Sequence, residues 1–139
     1  MNYLEIFYQT MEEAKNIAVA TSVKDLPNVR IMDFAYDKEK NITYVATFKN
    51  NNKVSEFNKN ANVSFTTLPD KDQKHVRSIN AKIRKSKLSI FEIAELLIKK
   101  NHGFKQTLDM AGPMLEVFEI QANEFTVIPD IKNAEMIKL

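Results

Sequence analysis

Cysteine and tryptophan are absent from the 139 residues, and glycine occurs only at Gly103 and Gly112. Without cysteine there is no disulfide, thiolate nucleophile or cysteine-bound metal, and a cytoplasmic setting is the expectation. With no glycine before Gly103, a glycine-rich phosphate loop is excluded from most of the chain. The two histidines, His75 and His102, lie too far apart to form a local metal motif, so no metal is expected. Twenty Lys and Arg against eighteen Asp and Glu leave a formal net charge of +2. That is too balanced for an electrostatic nucleic-acid binder. No apolar run approaches the roughly 20 residues that cross a bilayer as a helix. The opening MNYLEIFYQTMEEAK carries acids where a signal peptide would be basic and then apolar. Nucleic-acid and membrane partners are therefore not expected.

What is present is organised around Asn41–Lys59, NITYVATFKNNNKVSEFNK. Ile42, Tyr44, Ala46 and Phe48 alternate with Thr43, Val45 and Thr47, the period of a strand. Asn50, Asn51 and Asn52 supply a turn and N-cap candidates, and Val54 and Phe57 open a helical face. A helix start carries unpaired N–H groups and the positive end of the dipole, so it suits an anion. Thr47 adds a hydroxyl at the strand end, and Lys53 adds charge in the first turn. The stretch reads either as a phosphate seat or as a capped helix with a solvated lysine.

The rest of the chain, a single domain over 1–139, fits short strands and a few helices. Asn2–Asn16 predicts an amphipathic helix with Leu4, Phe7, Tyr8 and Met11 on one face. Ile17–Val23 is a strand, Lys24–Asn28 a turn around Pro27, and Val29–Tyr36 a second strand. Arg30 shares a face there with Met32, Phe34 and Tyr36, so it either snorkels at a rim or is held by an anion. Asp37–Asn41 is a hairpin turn, and Asn62–Leu68 and His75–Ile83 are strands. Strict alternation puts His75, Arg77, Ile79, Ala81 and Ile83 on one face of the latter. Ser89–Asn101 is a helix with a capping box from Ser89 and Glu92. Phe104–Pro113 reads as an irregular link. Met114–Gln121 and Glu124–Ile128 read as strands joined by a turn at Ala122–Asn123, and the tail from Pro129 is open between extended and helical. The pattern predicts a mainly β protein with flanking helices, a small antiparallel six- or seven-stranded split β-barrel.

In order and spacing these features resemble the pyridoxamine 5′-phosphate oxidase-like superfamily of FMN-binding split barrels, its short general-stress-protein branch above all. The resemblance runs from about Leu4 to Ile128. It implies FMN as cofactor, with Arg30 at the phosphate and the backbone of Ile31, Met32 and Asp33 at the flavin ring. It also implies that Thr47, Asn51, Asn52 and Lys53 form the phosphate turn, with Asn51 where Ser is usual. His75, ahead of Val76-Arg77, matches a polar position that approaches the flavin. Ala35 stands where the true oxidase has a lysine, and its C-terminal Arg-and-His segment has no counterpart, so oxidation of pyridoxamine 5′-phosphate is not implied.

The resemblance further implies a homodimer with FMN between subunits, because a barrel this small fills its own interior. The activity implied is that of an FMN-dependent oxidoreductase acting on a small molecule, with a nicotinamide as reductant. No catalytic acid or base is identifiable. Two alternatives stay open: a non-enzymatic flavin-binding stress protein, and a haem-binding split barrel using His75 or His102.

Overall fold

Residues Met1–Leu139 are described by a computed structural model. Scarce glycine leaves the tight turns to other residues. Positive φ falls on Lys24, Asp25, Asn41, Asn50 and Gln73, and neither glycine adopts it. Asparagine tolerates that region because its short amide can bond locally. Lys24 and Asp25, at φ 52° and 64°, form a two-residue turn whose positive φ values suit the twist of a hairpin. It joins β1 (Asn16–Val23) directly to β2 (Leu26–Asp37), so Pro27 lies in the strand opposite Ser22 rather than in a turn.

The remaining strands are β3 (Ile42–Phe48), β4 (Asn62–Thr67), β5 (His75–Lys85), β6 (Leu115–Gln121), β7 (Glu124–Ile128) and β8 (Glu135–Lys138). Their order is β4-β1-β2-β3-β6-β5, and β5 pairs back to β4. The result is a closed six-stranded antiparallel barrel, with β7 and β8 added beyond it. Closure removes the unpaired edges that short strands would otherwise expose.

Two strand readings change. Between β6 and β7 the chain does not reverse: Lys82 faces Gln121 and Arg77 faces Thr126, both antiparallel to β5. The two strands are one extended path interrupted at Ala122 and Asn123. Its first part also pairs with β3 and its second with β8, which is how the barrel splits. On β5 the register against β4 shifts between Val63 and Phe65, a bulge that resets which side chains face inward. Val76, Ser78, Ala81 and Ile83 are buried, whereas Ile79 is 76% exposed.

Four helices accompany the barrel: α1 (Tyr3–Glu13), α2 (Asn52–Lys59), α3 (Ile90–Lys100) and α4 (Phe104–Ala111). Phe7 and Met11 of α1 and Phe57 of α2 belong to the barrel core with Val19, Phe34, Val45 and Phe118. The Phe7 ring lies 4.5 Å from that of Phe125, and Phe57 lies 5.2 Å from Phe118. Truncating a wholly buried Phe such as Phe7 costs about 3–5 kcal/mol. A second core lies on the outer face of β2, β3 and β6, where Ala35, Tyr44 and Val117 pack under Ile90, Ile93 and Leu97. Ser89 and Glu92 form the expected capping box. The segment read as an irregular link contains α4 instead: Phe104 and Leu108 share a face, but the helix is short, flanked by Gly103 and Gly112, and buries only Phe104. The tail is extended, with β8 laid along β7.

Candidate functional site

β3 ends beside the start of α2, and Asn51 joins the two. Its carboxamide donates to Thr47 Oγ1 at 2.8 Å and accepts from the N–H groups of Lys53 and Val54 at 2.9 and 3.4 Å. Asn51 therefore caps α2 and holds the Thr47 hydroxyl through one side chain. The Lys53 ammonium, by contrast, has neither an ion pair nor a hydrogen bond to the protein. Asn52, the first residue of the helix, is exposed.

Lys53 borders a groove of about 280 Å³ on the outer face of β2 and β3. Ile31, Ala46, Phe48, Leu97, Phe104 and Leu115 give it an apolar wall, and Asn16, Asp33, Thr47 and Thr107 its polar points. Leu97 comes from α3 and Phe104 and Thr107 from α4, so the second core ends where the groove begins. Asn16 faces Asp33 across the β1–β2 pair and donates to its Oδ1 at 2.6 Å. The groove thus combines an apolar slot, one carboxylate and one unpaired cation.

The structure brings together Ile31, Met32, Asp33, Thr47 and Lys53 around this groove, with Asn51 behind Thr47. Arg30 is elsewhere. Its guanidinium pairs with Glu56 of α2, donates to Thr21 Oγ1 at 2.8 Å, and lies 5.8 Å from the Phe57 ring. Its side chain is only 12% exposed, so the arginine is held at a rim by an anion that the protein itself supplies. His75 lines a separate depression with Gln73, Ile128 and Asp130. Its Nδ1 is 2.7 Å from the Gln73 carbonyl, and a carbonyl only accepts, so Nδ1 carries the proton and Nε2 is free. His102 is exposed after α3.

Sequence reasoning missed Asn16, Phe104, Thr107 and Leu115. Asn16 follows from the hairpin once its turn is centred on Lys24 and Asp25, because that register sets Asn16 opposite Asp33. The α4 residues carry no comparable signal, since the helix buries one residue only. A larger depression, about 650 Å³, lies between α1 and α3 beside Tyr8, Tyr36 and Lys38. Its charges are largely answered from within. Lys100 Nζ donates to the carbonyls of Met11 and Ala14 at 2.6 and 2.8 Å, Lys99 pairs with Glu12 at 3.7 Å, and Lys38 sits over the Tyr8 ring.

A family model described as pyridoxamine 5′-phosphate oxidase-like matches residues 10–134. No curated protein sequence matches the chain. Among solved structures, ChuZ of Campylobacter jejuni has a TM-score of 0.78 at 13% identity, and the match covers 97% of this chain but 58% of ChuZ. General Stress Protein 26 from Bacillus anthracis str. Sterne has a TM-score of 0.70 at 18% identity, with both chains covered in full. HutZ of Vibrio cholerae, described as a heme storage protein, has a TM-score of 0.69 at 16% identity over 91% of this chain and 95% of its own. Identities this low speak for the fold. No helix is long and apolar enough to cross a membrane.

Proposed function

Because the chain belongs to the pyridoxamine 5′-phosphate oxidase-like family, we propose that it is an FMN-binding flavoprotein, an oxidoreductase for a small molecule that works as a homodimer. The observation that carries this reading is the groove: an apolar slot ending at an unpaired ammonium matches a flat ring system that bears a phosphate. Lys53 would neutralise the phosphate, with Asn52 at the exposed start of α2 beside it. The backbone of Ile31, Met32 and Asp33, with Phe48, Leu97 and Phe104, would orient the ring and exclude water. Arg30 adds to the seat only when Glu56 releases it.

Alone, the groove is small beside the roughly 300–1,000 Å³ of usual ligand sites. Its missing wall has a natural source. Val29 and Ile31, 64% and 62% exposed, stand opposite Ala20 and Ala18 on β1, and Ser64 and Thr66 of β4 follow in the same rows. This face has no helix over it, and Ile31 belongs to both the face and the groove. A second copy seated there would close the slot from the other side.

When bound, FMN supplies electron and hydride transfer, with a nicotinamide as the reductant class. The oxidase lysine has no equivalent in the slot, since Ala35 is packed under α3, which argues against pyridoxamine 5′-phosphate as the substrate. A flavin-binding stress protein without turnover uses the same groove; steady-state assay with NADH or NADPH separates the two. The free Nε2 of His75 favours one further reading, haem ligation in the depression by Asp130. A Soret band that is lost in His75→Ala identifies it.

The deciding experiment is a visible spectrum of purified protein before and after FMN addition and desalting. Retention of about one flavin per chain is expected, with two chains per particle by light scattering. Folded protein that retains no flavin overturns the reading.

A further inference from the structure

The groove holds one polar device that phosphate binding does not use. Asn16 and Asp33 meet at the end of the β1–β2 pair, and both line the groove that Lys53 borders. Asn16 Nδ2 donates to Asp33 Oδ1 at 2.6 Å. Asn16 is the only protein group that donates to this carboxylate. A carboxylate has about four lone-pair sites and a carboxamide nitrogen two hydrogens, so acceptor capacity on Asp33 and a second hydrogen on Asn16 remain unused. Asp33 is half-buried, so a ligand laid over the groove would take solvent from its remaining acceptor sites, and leaving them unanswered there is costly.

We propose that Asp33, held by Asn16, is the acceptor that reads an imide N–H on the edge of the bound ring, and so selects a flavin over other flat apolar ligands. The proposal rests on the FMN reading of the same groove. An imide edge offers one N–H between two carbonyl oxygens, and only a fixed acceptor recognises its centre. The Asn16 amide fixes the acceptor and offers a donor beside it. A site built around a hydrogen bond rejects an analogue that lacks the donor far more strongly than it rejects a change of shape. The negative charge has a second effect, since it disfavours added electron density on the ring and lowers its reduction potential.

The test compares FMN with its N3-methyl analogue, which keeps the ring and phosphate but loses the N–H. Wild-type protein should bind FMN about 10- to 100-fold more tightly, as expected for a hydrogen bond to a charged acceptor. Asp33→Ala should bring the two affinities together. Asp33→Asn, which preserves shape, should move the flavin midpoint potential to a more positive value. Equal wild-type affinities overturn the proposal, as does a preference that survives in Asp33→Ala or a potential unchanged in Asp33→Asn. A merely structural cross-strand pair moves none of these readouts. Wild-type protein that binds neither compound overturns the FMN reading itself, and this inference with it.

Discussion

Arg30 on β2 and Glu56 on α2 form an ion pair that ties the barrel wall to the helix beside the groove. Asn28 Nδ2 donates to the two oxygens of the same carboxylate at 3.1 and 3.3 Å, and Thr21 Oγ1, which accepts from Arg30, donates to it at 3.4 Å. Glu56 is therefore an internal anion seated among three donors. It lies one helical turn beyond Lys53, close enough to temper the field of that lysine.

Glu56→Gln should change two properties in opposite directions. Affinity for FMN and for inorganic phosphate should rise several-fold at low ionic strength and converge toward wild type in high salt, because screening removes the difference. Stability should fall by about 1–3 kcal/mol, the cost of a charge-assisted network losing one member. Phosphate titration and thermal melting read the two effects separately.

Lys53→Ala should weaken FMN binding by about 10- to 100-fold and leave the melting temperature nearly unchanged, since its ammonium makes no contact that folding uses. Thr47→Val should do the reverse. Thr47 is 4% exposed and its hydroxyl accepts from the Asn51 amide at 2.8 Å, so losing the hydroxyl unsettles the helix cap by about 1 kcal/mol. Parallel fluorescence titrations and melts distinguish anchor from support.

How much of this was legible depended on how local the cause is. The cap at Asn51 and the box at Ser89 and Glu92 are readable because each is completed within three residues. Pro27 signals a turn in the sequence but lies in the strand, opposite Ser22. Lys24 and Asp25 adopt positive φ instead, and moving the centre of the turn changes every cross-strand partner, Asn16 and Asp33 included. Period-2 reasoning failed on β5 because the bulge belongs to the pairing with β4, not to either strand alone. The path through Ala122 and Asn123 looked like a hairpin because nothing in those residues says that β5 runs on past them. For Arg30 the strand pattern leaves a rim or an anion open. That the anion is Glu56 is a tertiary fact.

Lys100 provides a pH signature away from the groove. Burial pushes its amine down to about 7, with Glu12 opposing the shift. The neutral amine still has two hydrogens, enough for the carbonyls of Met11 and Ala14. In the unfolded chain the amine keeps its proton up to about pH 10.4. Between about pH 7 and 10 the unfolded state therefore binds more protons, and stability from this group rises with pH. It falls away as pH drops from about 10 to about 7 and is gone below that, where both states are protonated. Wild-type melting temperature should climb from pH 6 to pH 9 relative to Lys100→Met, whose profile lacks this slope. Parallel profiles would remove the assignment.

The uncovered face of β2, β1 and β4 should be where two chains meet. Val29 is 64% exposed in the single chain and does not line the groove, so Val29→Asp leaves the barrel core untouched. Buried in a symmetric interface, the carboxylate would face apolar surface from both copies, with two like charges introduced at once. The variant should therefore be folded, with a melt close to that of a wild-type monomer, and should elute at half the mass by light scattering. FMN retention should fall with it although every proposed FMN contact within the chain is present, because the slot keeps only one of its walls. A Val29→Asp protein that stays dimeric moves the interface to another face. One that becomes monomeric yet holds FMN as tightly as wild type shows that the groove of a single chain is sufficient.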